Sequence, residues 1–195
     1  MKISYSLARI LGSIAEGEAL CMGVPMATAV ADAEGGLLYF GRMDGSLPAS
    51  TEIAIGKAYT AAALRMTTHE LGKLAQPGEV LYGIQHTYPG KIVLFGGGSP
   101  LRLQGKVVGG IGISGGTVEE DMRVAEPVVE ALARMESLSE WIGKFLPGKS
   151  KTEDWLSRLQ GTLEEVVKEM EITLSHGDFY ILSGAIMLIC RDDRR

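Results

Sequence analysis

The stretch VVGGIGISGGTVEED, residues 107–121, constrains the fold because it places five glycines among regularly spaced apolar residues. Valine and isoleucine alternate with glycine and serine, which predicts a strand that runs through the glycines and has one nearly bare face. Glycine weakens a strand unless a packed helix or a ligand must approach its backbone closely. Gly110 and Gly112 therefore predict either close helix packing or a flat ligand on that face.

The same stretch contains G-x-G-x-x-G as Gly110, Gly112 and Gly115, a pattern found in dinucleotide-binding proteins. That fingerprint requires a strand that ends before the glycines and a helix that begins within them. Here the helix is predicted to begin later, with Thr117 as its N-cap and Glu120 completing a capping box. Its acidic first turn would repel a pyrophosphate, so we expect no dinucleotide. We interpret Glu119, Glu120 and Asp121 as surface charge that complements the helix dipole, not as a metal cluster.

Charge and hydropathy exclude several classes of partner. The net charge is -5 and lysine and arginine are not clustered, which argues against nucleic acid. The longest apolar run, residues 179–190, is too short for a membrane-spanning helix, so no membrane association is expected. Cys21 and Cys190 are far apart and form no C-x-x-C, so neither a disulfide framework nor a zinc site is predicted. A cytoplasmic location is expected.

The order of predicted elements indicates an α+β fold in which an antiparallel sheet of about five strands is flanked by helices. A helix ending near Gly23 is followed by a β-hairpin over 25–44. A helix over 50–66 has Ser50 or Thr51 as its expected cap, and a short helix starts at Thr67 with Glu70 completing a capping box. The remaining predicted elements are a strand over 91–95, a loop before the glycine-bearing strand, and a helix from Thr117 to about Met135.

The pattern predicts a domain over residues 1–135 and an extension over 136–195. The extension is predicted to be helical and to end in an apolar, strand-like segment. An apolar stripe over residues 152–170 either packs on its own domain or docks a protein partner through residues 150–195.

Four motifs carry a resemblance to a known family: LLYFGRMDG, IAIGKAYTAA, GGGSPL and GGIGISGG, in this order along the chain. With them, about residues 3–135 resemble the GlcG/HbpS family, which includes heme-binding HbpS-type proteins and the C-terminal domain of PduO-type corrinoid adenosyltransferases. The resemblance implies a profilin- or PAS-like antiparallel sheet flanked by helices and assembly into a homo-oligomer. It implies nothing about the chain from Glu136 onward.

For a member of this family the resemblance implies a tetrapyrrole ligand, and we rank heme above cobalamin. A heme iron is held by His, Met, Cys or Tyr in an apolar setting. His86, in an irregular loop, and His69, in the first turn of a short helix, are the candidate iron ligands, against the alternative of ordinary surface imidazoles. The first helix contains no histidine, which argues against ligation from that segment.

Arg42, Asp44 and Lys57 lie in the segments that carry the resemblance. In one interpretation Arg42 and Lys57 hold a carboxylate or propionate, with Asp44 orienting Arg42. In the other, which we favour, Asp44 caps a turn and the two cations form structural salt bridges.

These observations leave three hypotheses, in order of preference. The chain is a homo-oligomeric small-ligand binding protein for a tetrapyrrole, an enzyme or accessory subunit acting on a small carboxylate or diol-derived metabolite, or an interaction protein docking through its extension. The sequence shows no Ser-His-Asp, Cys-His or metal-spaced constellation, so whether the chain is an enzyme is left open.

Overall fold

A computed structural model describes residues 2–145 of the chain. Within that range, four strands form an antiparallel sheet in the order β2-β1-β4-β3, and helices accompany it. The predicted α+β class is confirmed, with four strands in place of the expected five or so. The elements are α1 (Tyr5–Met22), β1 (Ala27–Asp32), β2 (Leu37–Arg42), α2 (Ser50–Leu64), α3 (Thr68–Leu74), a 3-10 turn (Ile84–His86), β3 (Gly98–Leu103), β4 (Lys106–Ser114) and α4 (Val118–Phe145).

The helix ends follow local sequence signals in most cases. At α3 the Thr67 hydroxyl accepts from the Glu70 N–H and the Glu70 carboxylate accepts from the Thr67 N–H, so this predicted capping box is confirmed. Thr117 and Glu120 exchange the equivalent bonds before α4. The predicted cap of α2 is wrong, because the helix begins after Ala49 without any side-chain cap.

The predicted strand over 91–95 is also wrong. Residues 92–95 have no regular secondary structure, and the segment lies against α2 instead of joining the sheet. The fourth strand is β3, which lies in the region predicted as a loop. Pro100 is compatible with β3 because that strand is at the edge of the sheet, where a missing N–H donor costs little.

Helix α2 fills the bare face of β4. A Cβ at Gly110 would collide with the Ala58 carbonyl oxygen and lie 2.8 Å from the Ala62 nitrogen. A Cβ at Gly112 would collide with the Ala54 carbonyl oxygen. The glycines therefore let a helix backbone approach the sheet, and of the two predicted alternatives it is helix packing that occupies this face.

The first compact unit of the chain ends at Ala133, inside α4. The predicted domain boundary after residue 135 stays a prediction, and the predictions for residues 150–195 lie outside the described part. Among the described helices, none combines the length and the apolar character needed to span a membrane.

Candidate ligand-binding site

A tight turn joins Tyr88 to Lys91 at the surface. The Lys91 N–H donates to the Tyr88 carbonyl oxygen at 3.2 Å. Pro89 and Gly90 occupy the two central positions, and Gly90 has a φ of 76°, which a glycine adopts without strain. The turn therefore holds the backbones of Tyr88 and Lys91 close together.

Both side chains of this turn contact Tyr59 of α2. The Tyr88 ring meets the Tyr59 ring edge to face, with centroids 5.6 Å apart and planes at 69°. The Lys91 ammonium lies 5.5 Å from the centroid of the Tyr59 ring, within cation–π distance. Gly35 leaves room for this ring, since a Cβ there would lie 2.5 Å from Tyr59 Cδ2. We refer to Tyr59, Tyr88 and Lys91 as the Tyr59 cluster.

Helix α2 also fixes the backbone that follows the turn. The buried Thr60 hydroxyl accepts from the Val93 N–H at 3.0 Å and lies 3.0 Å from the Lys91 carbonyl oxygen. Gly56 admits the segment closely, because a Cβ there would lie 2.8 Å from Val93 Cγ2. Contacts with α2 and the tight turn between Tyr88 and Lys91 therefore both hold the Tyr59 cluster in place.

His86 lies just before the cluster, in the 3-10 turn, and its side chain is exposed. Gln85 Nε2 lies 3.3 Å from His86 Nε2. Large apolar side chains around it in the chain are also exposed, with fractions of 84% for Val80, 66% for Tyr82 and 49% for Tyr88. An accessible imidazole among exposed aromatic and aliphatic groups can ligate a metal carried by a flat apolar ligand.

A second polar arrangement is buried. The Lys57 ammonium donates to Asp121 Oδ2 at 2.6 Å and to the Ile113 carbonyl oxygen at 2.7 Å. The same ammonium also lies over the ring of Phe95, 4.8 Å from the ring centroid. The side chains of Lys57 and Asp121 are 0% and 4% exposed, so water does not solvate the pair.

The remaining carboxylate oxygen of Asp121 is satisfied by backbone, because Oδ1 accepts from the Gly116 N–H at 3.1 Å. Burial lowers the pKa of Lys57 and raises the pKa of Asp121, while the bond between the two groups opposes both changes. The pair therefore links α2, the end of β4 and the first turn of α4 through fully bonded groups.

The chain is similar in sequence and structure to proteins of one known family. The family model described as Haem degrading protein HbpS-like matches residues 3–130. This chain belongs to the HbpS-like family. The resemblance inferred from the four motifs is thereby confirmed.

Two relatives and one solved structure illustrate the similarity of the HbpS-like chain. An uncharacterized 15.0 kDa protein from the dhaT-dhaS intergenic region of Citrobacter freundii is 42% identical over 133 residues, covering 68% of this chain and 94% of that protein. Corrinoid adenosyltransferase PduO of Citrobacter freundii is 41% identical over 132 residues, 68% of this chain but 39% of PduO. The crystal structure of a PduOC:heme complex matches with a TM-score of 0.64 and 39% identity, covering 67% of this chain and 94% of that one.

The other predicted site residues of the HbpS-like chain lie outside the 3-10 turn that holds His86. His69 is half-buried in α3. The exposed Arg42 guanidinium donates to the hydroxyl of Ser46 at 3.2 Å and to its carbonyl oxygen at 3.1 Å. Asp44 is exposed, and Lys57 is bonded to Asp121, so Arg42 and Lys57 have separate partners.

Sequence reasoning missed several residues of the HbpS-like chain. Asp121 was expected at the surface with Glu119 and Glu120, yet it is 3% exposed and pairs with Lys57. Tyr59 and Lys91 were not singled out, although the Pro-Gly pair between Tyr88 and Lys91 is a recognisable turn signal. Within the described range, no group of three or more His, Cys, Asp or Glu residues could hold a metal ion.

Proposed function

We propose that this HbpS-like chain is a heme-binding protein and that His86 is the axial ligand of the iron. The observation that carries the proposal is the exposed imidazole of His86 on a short segment that also exposes Val80, Tyr82 and Tyr88. Two comparisons support it: the family is described as haem degrading, and a relative of 39% identity is described in complex with heme.

The residues of this loop fit the chemistry of heme. Bound heme supplies an iron centre that takes an axial ligand and a flat macrocycle that is apolar over most of its area. Imidazole is a standard axial ligand, and His86 is exposed on a segment fixed by turns. Tyr82 and Tyr88, four residues before it and two after it in the chain, offer exposed aromatic surface. Gln85 contacts His86 Nε2, which leaves Nδ1 as the ring nitrogen that would hold the iron.

Assembly into a homo-oligomer is part of the proposal. The apolar groups of the loop are exposed in a single chain, and a tetrapyrrole lying on them would leave much of its own surface in water. A second copy covering the ligand would bury that surface, at about 25 cal/mol per Å². A cytoplasmic location also stays a proposal.

The competing hypotheses rank lower. Cobalamin is supported by the name of PduO, but the chain spans only 39% of that protein. A carboxylate site shared by Arg42 and Lys57 is disfavoured, because Lys57 is buried and already paired with Asp121. Docking through residues 150–195 remains a hypothesis about residues outside the described part.

Hemin titration of the full chain tests the proposal. A saturable Soret band that is lost in His86→Ala and kept in His69→Ala would support His86 as the ligand. Loss in His69→Ala alone would transfer the axial role to that residue, and no saturable band in the natural sequence would remove heme from consideration.

A further inference from the structure

We propose that Lys91 binds a carboxylate of the tetrapyrrole and thereby selects heme over an amidated corrinoid. This inference rests on the proposed function and deepens it. The two propionates of heme are anionic at neutral pH, whereas the peripheral carboxylates of cobalamin are converted to neutral amides. A fixed ammonium beside the macrocycle distinguishes these two classes of ligand by charge.

The charge of Lys91 is available to a ligand. The side chain is exposed, and among the residues that the structure describes no carboxylate lies within salt-bridge distance of its ammonium. Lys57, by contrast, is neutralised by Asp121. Lys91 therefore differs from the buried lysine in being free to pair with an anion from outside the chain.

Its position is also held before any ligand arrives. The Lys91 ammonium lies 5.5 Å from the centroid of the Tyr59 ring. That ring is itself held by its contact with Tyr88 and by its close fit against Gly35. The Lys91 backbone is bonded to Tyr88 and lies against Thr60. A lysine that is already oriented loses less side-chain entropy on pairing with a ligand than a free surface lysine does.

Lys91 also lies close in the chain to His86, the proposed iron ligand. Lys91 follows His86 by five residues, and Tyr88, which the turn holds beside Lys91, lies between them in the chain. An imidazole, an aromatic ring and an ammonium therefore lie on one short stretch. These three groups correspond to the iron, the macrocycle and the acidic edge of heme.

The test compares hemin with hemin dimethyl ester, in which both propionates are esterified, and with hydroxocobalamin. Each is titrated into the full chain in the same detergent-containing buffer, for the natural sequence and for Lys91→Met, Lys91→Arg and Lys106→Met. Lys106 is an exposed lysine at the start of β4 and serves as the matched control. Thermal melting checks that every variant is folded.

We expect the natural chain to bind hemin roughly two- to fivefold more tightly than the ester, as is typical of one exposed ion pair. Lys91→Met should remove that preference and lower the preference for hemin over hydroxocobalamin by the same factor, while Lys91→Arg and Lys106→Met should retain both preferences. A preference that persists in Lys91→Met overturns the role of Lys91. Equal binding of hemin and its ester by the natural chain also overturns it and leaves the heme proposal intact, whereas no saturable binding of either overturns both proposals.

Discussion

The ammonium of Lys57 and the carboxylate of Asp121 are 2.6 Å apart, although 64 residues separate them in the chain and neither side chain is more than 4% exposed. Each partner makes a further bond, Lys57 to the Ile113 carbonyl oxygen and Asp121 to the Gly116 N–H. Removing one partner of such a pair leaves an uncompensated charge in the interior, which costs far more than the pair contributes.

Asp121→Ala should therefore lower the free energy of unfolding by about 3–5 kcal/mol. Urea unfolding followed by circular dichroism measures this loss. The double variant Lys57→Met with Asp121→Leu should lose clearly less than Asp121→Ala alone, because no charge is left without a partner. A double variant as unstable as the sum of Lys57→Met and Asp121→Leu, each measured alone, would show that the two residues act independently.

A substitution at Gly112 tests whether α2 packs closely on β4. Gly112→Ala would place a Cβ against the Ala54 carbonyl oxygen and 2.5 Å from the Ala58 nitrogen, so it should destabilise the fold by about 1–3 kcal/mol. Gly17→Ala in α1 is the matched control, since no atom outside the adjoining helix backbone lies within 4 Å of the added methyl group. That control should stabilise the protein by about 0.5–1 kcal/mol. Equal effects of the two substitutions in urea unfolding would contradict the packing described for β4.

The hydrogen bond and burial of the Tyr39 hydroxyl predict how the free energy of unfolding changes at alkaline pH. Its hydroxyl donates to Glu16 Oε1 at 2.7 Å, and burial together with this bond raises the pKa of Tyr39 above its ordinary value. The folded state then keeps a proton that the unfolded state releases above pH ~10. The resulting stabilisation is fully present below that pH and is lost as the pH rises further.

Tyr39→Phe should therefore cost about 1 kcal/mol at pH ~8, and the cost should shrink as the pH rises from ~10 to ~11.5. Urea unfolding at several pH values gives the comparison. Tyr82→Phe, at a tyrosine that is 66% exposed, should show no such change. A cost for Tyr39→Phe that stays constant or grows over this range would contradict the assigned bond.

Local signals predicted much of the fold. The capping boxes at Thr67 and Thr117 depend on residues three apart, and the β1–β2 hairpin depends on a single turn, so both could be recognised in the sequence. The strand predicted over 91–95 failed because Val93 lies against Gly56 of α2 and the Leu94 backbone lies against Gly72 of α3. The apolar composition of this segment therefore reflects contacts with helices and not pairing in the sheet.

The candidate site was less predictable, because it depends on contacts between distant segments. His86 could be proposed from its residue type and its loop. The partnership of Tyr59 with Tyr88 and Lys91 requires the path of residues 88–93 along α2, which no spacing in the sequence reveals. The same holds for Asp121, whose acidic neighbours suggested a surface position until its partner Lys57 was placed.

Titration of the 195-residue chain with hemin, following the Soret absorbance, tests the heme proposal most directly. The natural chain is expected to show a saturable band that His86→Ala abolishes and His69→Ala retains, with unchanged thermal melting of the free proteins. A saturable band that survives in His86→Ala would contradict ligation by that residue, and the absence of any saturable band in the natural chain would contradict heme binding itself.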